Sequence, residues 1–411
     1  MKKLIILFSC ILAVTLAMFT PWVGSILAKE DVAFAANSQP NDKNGVKLGQ
    51  FSSRSAYLVD YDTGTVLYER NAEAKHPIAS MVKIMTLNIV FDEIRKGNLA
   101  FDEKIVISEV ASGMGGSQMF LDTGLEYSVS DLIKGVTVVS ANDASVALAE
   151  RVSGSVDAFI DLMNDKAREY GMQNTNFVNV TGLPQDGQFS TAKDVTIMMR
   201  NLLNNREYYK FSTIYMENYT HPDGRITELV NTNKLIKFYN GCDAGKTGFT
   251  NDAMFCLSAS AVKGDTRVIA TVLGAENSKS RFNEISTMFN YAFANYETVK
   301  VFEKDKPFES QIKISKSKSE IVKLMVDKNL TVLNKRGFKI NAEPKVSLNE
   351  NLVAPIKAGT VIGKIELTDT SNGQIINSAN LIVATDVQAK NFRDGLQSIA
   401  DEWFLRYNFS K

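Results

Sequence analysis

Ser80 and Lys83 are the two residues whose types and spacing best suit them to do chemistry together. Lys83 is one ammonium in the apolar run Met81–Phe91, three positions after the hydroxyl. If Pro77-Ile78-Ala79-Ser80 leads into a helix, the i,i+3 spacing puts both side chains on one face. Met85, Leu87, Ile89 and Val90 make that helix apolar on nearly every side, which predicts burial in a core. Burial disfavours the charged form and draws a lysine down from its reference of about 10.4. A lysine made partly neutral beside a serine can take the hydroxyl proton and so activate a weak nucleophile. The spacing alone proves little. Ser315–Lys318 repeats it in a charged, alternating stretch that reads as a solvated strand edge, and a lone lysine often snorkels its tip to water.

Two further segments add weight. Val138-Val139-Ser140-Ala141-Asn142 ends an apolar run with a serine and an asparagine two apart, just before a helical pattern. Lys246-Thr247-Gly248 lies in a strand pattern, where a glycine would let a ligand's backbone come close. Ser-Ala-Asn recurs at Ser378–Asn380, where it reads as surface polar residues. Only the first part of the chain holds all three elements, each in its required context of helix start, loop before a helix, and strand. The stretch Gly241–Thr247 resembles a phosphate-binding loop but has three residues between its glycines instead of four. It also runs into another apolar strand, whereas a phosphate cradle needs a helix N-terminus.

Composition narrows the chemistry. Lysine plus arginine equals aspartate plus glutamate at 46 each, which argues against nucleic acid as the main partner. The two histidines, His76 and His221, are too few for histidine-rich metal catalysis, and no Gly-x-Ser-x-Gly elbow surrounds any serine. A Ser-His-Asp hydrolase would have to use one of these two histidines, so lysine is the better base candidate for a hydrolase here. Cysteines 10, 242 and 256 support no zinc site by number or spacing. Cys242 and Cys256 bracket a hairpin pattern and read equally as one disulfide or as two buried thiols.

The elements that must position these residues can be read in order. Ala56–Tyr61 and Thr65–Glu69 form a hairpin pattern across Asp62-Thr63-Gly64, and the Ser80 helix stops near Gly97-Asn98. Ser130–Tyr170 is helical in pattern, with Asn142-Asp143 able to cap a helix at Ala144. Thr191 and Asp194 fit a capping box. Strand patterns at Cys242–Phe249, Ala253–Val262 and Arg267–Gly274 precede a helix over Ser278–Tyr296. The order predicts an α+β domain with helices on an antiparallel sheet. Residues 298–388 turn rich in Val, Ile, Lys and Thr with period-two stretches, including Gln311–Ile314, which predicts a small all-β domain.

The two ends differ from this body. Met1-Lys2-Lys3 followed by an uncharged apolar stretch reads as a secretory signal over residues 1–35, with Ala33-Phe34-Ala35 before the cut and a polar leader over 36–48. Leu4–Ala28 is also long enough to be an uncleaved anchor, and both readings place the body outside the cytoplasm. In the tail, 389–411, Phe392, Leu396, Ile399, Ala400, Trp403, Phe404 and Tyr407 fall on one helical stripe. Such a helix can lie in a membrane interface, the alternative being packing on protein.

Taken together the chain resembles the serine D-alanyl-D-alanine carboxypeptidases, the low-molecular-mass penicillin-binding proteins. The likeness rests on Ser80-x-x-Lys83, Ser140-x-Asn142 and Lys246-Thr247-Gly248, and on segments Pro77–Thr86, Gly116–Leu121, Gly187–Asp194 and Asn231–Leu235. It implies a penicillin-binding/β-lactamase-like domain over 49–297, then the β domain over 298–388 and an amphipathic membrane helix. It also implies a substrate, peptidoglycan stem peptides ending in D-Ala-D-Ala, with β-lactams as covalent inhibitors and no cofactor or metal. By the resemblance Ser80 is the nucleophile, Lys83 its base and Ser140 a proton relay to the leaving amine. Asn142, Lys246, Thr247, Gly248, Phe249 and Arg281 would bind substrate, with the N–H groups of Ser80 and Phe249 as the oxyanion hole. Alanine follows Ser140 where relatives often have glycine or aspartate. Phe249 replaces a histidine of some relatives, and Glu126, Glu150 and Asp194 have no assignable part in deacylation. The rival expectations are a β-lactamase-like hydrolase and a non-catalytic cell-wall-binding protein.

Overall fold

The computed structural model describes Leu48 and residues 51–391 apart from 320, 339 and 340. The signal segment, nearly all of the polar leader and the amphipathic stripe lie outside these residues. Among the described residues no helix is long and apolar enough to cross a membrane.

The first strands are β1 (Ser55–Asp60) and β2 (Val66–Arg70), followed by a 3-10 turn over Ala79–Val82 that runs directly into α1 (Lys83–Lys96). Next come β3 (Lys104–Val106), α2 (Glu109–Ser112), β4 (Glu126–Ser128), α3 (Val129–Val138), α4 (Asn142–Ser153), α5 (Val156–Glu169) and α6 (Ala192–Leu202). The short α7 (Tyr209–Ser212), the hairpin β5 (Met216–Thr220) and β6 (Ile226–Val230), and α8 (Leu235–Phe238) lead to β7 (Cys242–Thr250), β8 (Met254–Lys263) and β9 (Thr266–Ala275). Helix α9 (Ser278–Asn295) closes this region.

One antiparallel sheet organises it, in the order β2-β1-β9-β8-β7. Its central strand β9 shows why. Val268, Ala270 and Val272 pack with Ile285, Met288 and Phe289 of α9 on one face. Ile269 and Leu273 join the larger core of α1, α3, α4 and α6 on the other. A strand covered on both faces reads as a continuous apolar run, as this one does. Helix α1 is buried at every position from Lys83 to Asp92 and ends at Gly97, whose φ of 79° supplies the left-handed cap. Helices α3, α5 and α6 start under Ser128, Ser155 and Thr191, each accepting a backbone N–H two or three residues into the helix.

Two expected caps differ in detail. Helix α4 starts at Asn142 itself, its N-cap Ala141 lends no side chain, and the Asn142 amide serves the site instead. Thr191 caps α6 through the Asp194 N–H, but the Asp194 carboxylate turns to the Asn174 N–H and the Thr175 hydroxyl, so the box is half formed.

The second region is all-β. Strands β10 (Tyr296–Phe302) and β13 (Leu330–Lys335) pair with each other. Strands β11 (Phe308–Gln311), β12 (Ile321–Val326), β14 (Ala342–Leu348), β15 (Val361–Asp369) and β16 (Ile375–Val383) form a sheet in the order β11-β12-β16-β15-β14. Of the run Gln311–Ile314 only Gln311 is in a strand. Ile312 and Ile314 leave the ladder and plug this domain's own core.

Candidate active site

A 3-10 turn running into α1 sets the nucleophile pair on one face. Ser80 lies in the 3-10 turn and Lys83 is the first residue of α1. Three residues per turn eclipse positions i and i+3, so the two side chains stack one above the other. Lys83 Nζ donates to Ser80 Oγ at 3.1 Å and to Asn142 Oδ1 at 2.6 Å, and also to the carbonyl of Thr181. Lys83 is 0% exposed, and no carboxylate pairs with it at ion-pair distance among the described residues. Burial first, and then the charge of Lys246, draw its ammonium well below the usual lysine range, with Asp143 opposing. The hydroxyl beside it is half-buried and so open to a substrate.

Ser140 and Asn142 enter from the α3–α4 loop. Ser140 holds a φ of 65°, a left-handed conformation that costs a serine on the order of 1–3 kcal/mol. That bend delivers its hydroxyl to Lys246 Nζ at 2.7 Å. Ala79, immediately before the nucleophile, is also left-handed at φ 48°. The Asn142 amide is oriented by its other end, where Nδ2 donates to Gly115 O at 2.6 Å. Lys246 on β7 is buried, and burial together with Arg281 pulls it down to about 7.

Close backbone packing holds these pieces in register. A Cβ on Gly248 would lie 2.6 Å from Ile78 O, and one on Gly182 2.1 Å from Ala79 O. Gly248 was expected to clear space for a ligand's backbone. It also lets the segment that carries the nucleophile pack against the strand. Thr247 is buried beside Lys246 and accepts from it through its carbonyl at 3.0 Å. Phe249 is half exposed, its ring tilted against that of Phe255 with centroids 4.4 Å apart.

Arg281 is not a solvated helix residue. It is buried between Phe255 and Phe282 and donates to Gly248 O at 3.2 Å and to Cys256 O at 3.4 Å. Its charge therefore stands against the backbone of the Lys246 strand. A groove of about 440 Å³ adjoins the nucleophile turn, lined by Ile78, Ala79, Leu183, Gln188 and Thr250.

Other candidates resolve plainly. Cys242 and Cys256 are separate buried thiols, opposite Ala261 and Gly248 in the sheet register. His76 bonds Ser55, which is fully buried, and His221 bonds Tyr127 and Thr227. Glu150 accepts the Ser108 hydroxyl, Asp194 is held at the start of α6, and Glu126 lies exposed on β4. Thr181 carries no side-chain signal in the sequence, because it acts through its carbonyl. Asp143 reads in the sequence only as part of a helix cap at Ala144, although it directly follows Asn142.

Comparison with known proteins agrees with this arrangement. The family model described as D-alanyl-D-alanine carboxypeptidase matches residues 38–277, and that of the penicillin-binding protein 5 C-terminal domain matches 296–389. The chain is 37% identical to the D-alanyl-D-alanine carboxypeptidase DacF of Bacillus subtilis, over 85% of this chain and 90% of that one. It is 36% identical to DacC of Escherichia coli, over 84% and 87%. The crystal structure of penicillin-binding protein 5 from Haemophilus influenzae aligns at a TM-score of 0.66 and 33% identity, covering 84% of this chain and 100% of that one. The nucleophile pair, the strained serine and the lysine strand thus occur in a chain that belongs to the D-alanyl-D-alanine carboxypeptidase family.

Proposed function

We propose that this protein removes the terminal D-alanine from peptidoglycan stem peptides through an acyl-enzyme on Ser80. The observation that carries this reading is Lys83, wholly buried and 3.1 Å from the hydroxyl it would deprotonate. Ser80 Oγ attacks the carbonyl between the two terminal D-alanines while Lys83 takes its proton. The N–H groups of Ser80 and Phe249 stabilise the oxyanion. Ser140, whose oxygen accepts from Lys246, relays to the departing D-alanine amine the proton that Lys83 took from Ser80, which leaves Lys83 neutral again and Lys246 charged. Lys246, with Arg281 behind its strand, supplies positive charge for the substrate's terminal carboxylate, and Thr247 a hydroxyl donor. Asn142 holds the substrate amide while its oxygen fixes Lys83. Lys83 then acts on water to release the shortened peptide. A β-lactam acylates the same serine, and its opened ring stays attached, which makes the adduct long-lived.

The body is exported and works on the outer face of the cytoplasmic membrane. There the 49–297 domain carries the chemistry, and the 298–388 domain stands between it and the 389–411 tail at the lipid surface. Release of D-alanine from a peptide ending in D-Ala-D-Ala, abolished in Ser80→Ala, tests the reading. An unmodified protein that releases none, or that turns penicillin over rapidly with no lasting adduct, overturns it.

A further inference from the structure

Asp143 is a buried carboxylate for which the reaction sequence above has no use. It is 1% exposed, and both its oxygens accept from backbone. Oδ1 takes the N–H of Met119 at 3.2 Å and of Ala144 at 2.9 Å, and Oδ2 takes the N–H of Leu121 at 3.1 Å. The segment it grips also touches its neighbour Asn142. Asn142 Nδ2 donates to Gly115 O, its backbone N–H donates to Ser117 O at 2.7 Å, and a Cβ on Gly116 would lie 2.8 Å from Nδ2. A carboxamide has a donor end and an acceptor end. Anchoring the donor end on Gly115 O is what leaves the oxygen facing Lys83.

We propose that Asp143 is a positioning residue for acylation: it ties the Gly115–Leu121 segment over Asn142, so that the amide oxygen faces Lys83, and it sets a buried negative charge near that lysine. Lys83 is faced by Ser80 from the 3-10 turn, by the Thr181 carbonyl, by Asn142 and Asp143 from α4, and by Lys246 from β7. On its other side Asp143 acts on His221, which also feels Arg225, Asp223 and Asp122. Asp143 thus offsets the buried charge of Lys83 without forming an ion pair with it.

The inference rests on the Ser80 acylation reading, so wild-type labelling at Ser80 by a β-lactam, mapped by mass spectrometry, is the separate control. Two variants divide its two parts. Asp143→Asn puts an amide N–H2 against backbone N–H groups and removes the charge. Acylation should fall by roughly tenfold to a hundredfold. The acidic limb of its pH profile should move to lower pH, because the protonated lysine has lost a counter-charge. Gly116→Ala pushes the same segment off Asn142 and leaves the charge in place, so its rate should fall with the limb unmoved. Wild-type rates in Gly116→Ala overturn the aiming role. An unmoved limb in Asp143→Asn, with a rate loss that only follows a loss of folded protein, overturns the electrostatic one. If wild-type Ser80 is not labelled at all, it is the carboxypeptidase reading that fails.

Discussion

Ser80–Lys83 and Ser315–Lys318 share residue types and spacing, yet the protein surrounds them differently. Lys83 is fully buried at the start of α1, with three polar partners. Ser315 and Lys318 are exposed, on a segment tied by backbone bonds from Ser315 to Leu352 and from Lys318 to Gln388. The two Ser-Ala-Asn copies diverge in the same way. Ser140 and Asn142 flank a strained bend and reach two lysines. Ser378 and Asn380 lie on β16, where the Asn380 backbone N–H and side-chain amide both bond to Asp327, at 2.9 and 2.7 Å. An ammonium becomes a base near neutrality only when its hydration is stripped away. Burial and partners, which a tripeptide pattern does not carry, separate the working copies from the others.

The sharpest way to break this contrast is to delete each serine. Ser80→Ala should abolish labelling by a β-lactam in intact-mass measurements, and Ser315→Ala should label as the wild type does. Labelling that survives in Ser80→Ala removes the contrast. Removing the base comes next in size. Lys83→Met should slow acylation by about 10²–10⁴-fold, the range of general-base contributions, with the fold intact by circular dichroism.

A smaller effect follows from Lys246, which burial and Arg281 pull down to about 7 in the ligand-free site. A bound carboxylate raises it again, so binding above about pH 7 must take up a proton. Affinity of the Ser80→Ala variant for a peptide ending in a carboxylate should therefore fall as pH rises, by up to about tenfold per unit. The corresponding peptide amide should show no such fall, and calorimetry at several pH values would read both. Smallest of all, Asn380→Ala should lower the stability of the β domain by about 1 kcal/mol, read by denaturant unfolding, without changing acylation.

Much of this was legible in the residues. The unbroken apolar run of α1 and the both-faces-apolar strand β9 announced their own burial, and three short motifs named most of the site. What escaped was carried by backbone. The 3-10 turn that eclipses Ser80 with Lys83, the Thr181 carbonyl and the left-handed Ser140 leave no trace in residue type. Gly248 was seen as a place for close approach, but sequence could not say that the approaching chain was Ile78. Asn142 looked like a helix cap because asparagine favours caps, and tertiary contacts with Gly115 and Lys83 overrode that preference.

The central claim is that burial next to Ser80 holds the Lys83 amine in its neutral, proton-accepting form at working pH. Carbon-13 NMR of lysine labelled at Cε, with the Lys83 resonance assigned by its loss in Lys83→Met, titrates that amine directly. A midpoint well below the ordinary lysine value of about 10.4 is the predicted result. A midpoint at or above that value would contradict it.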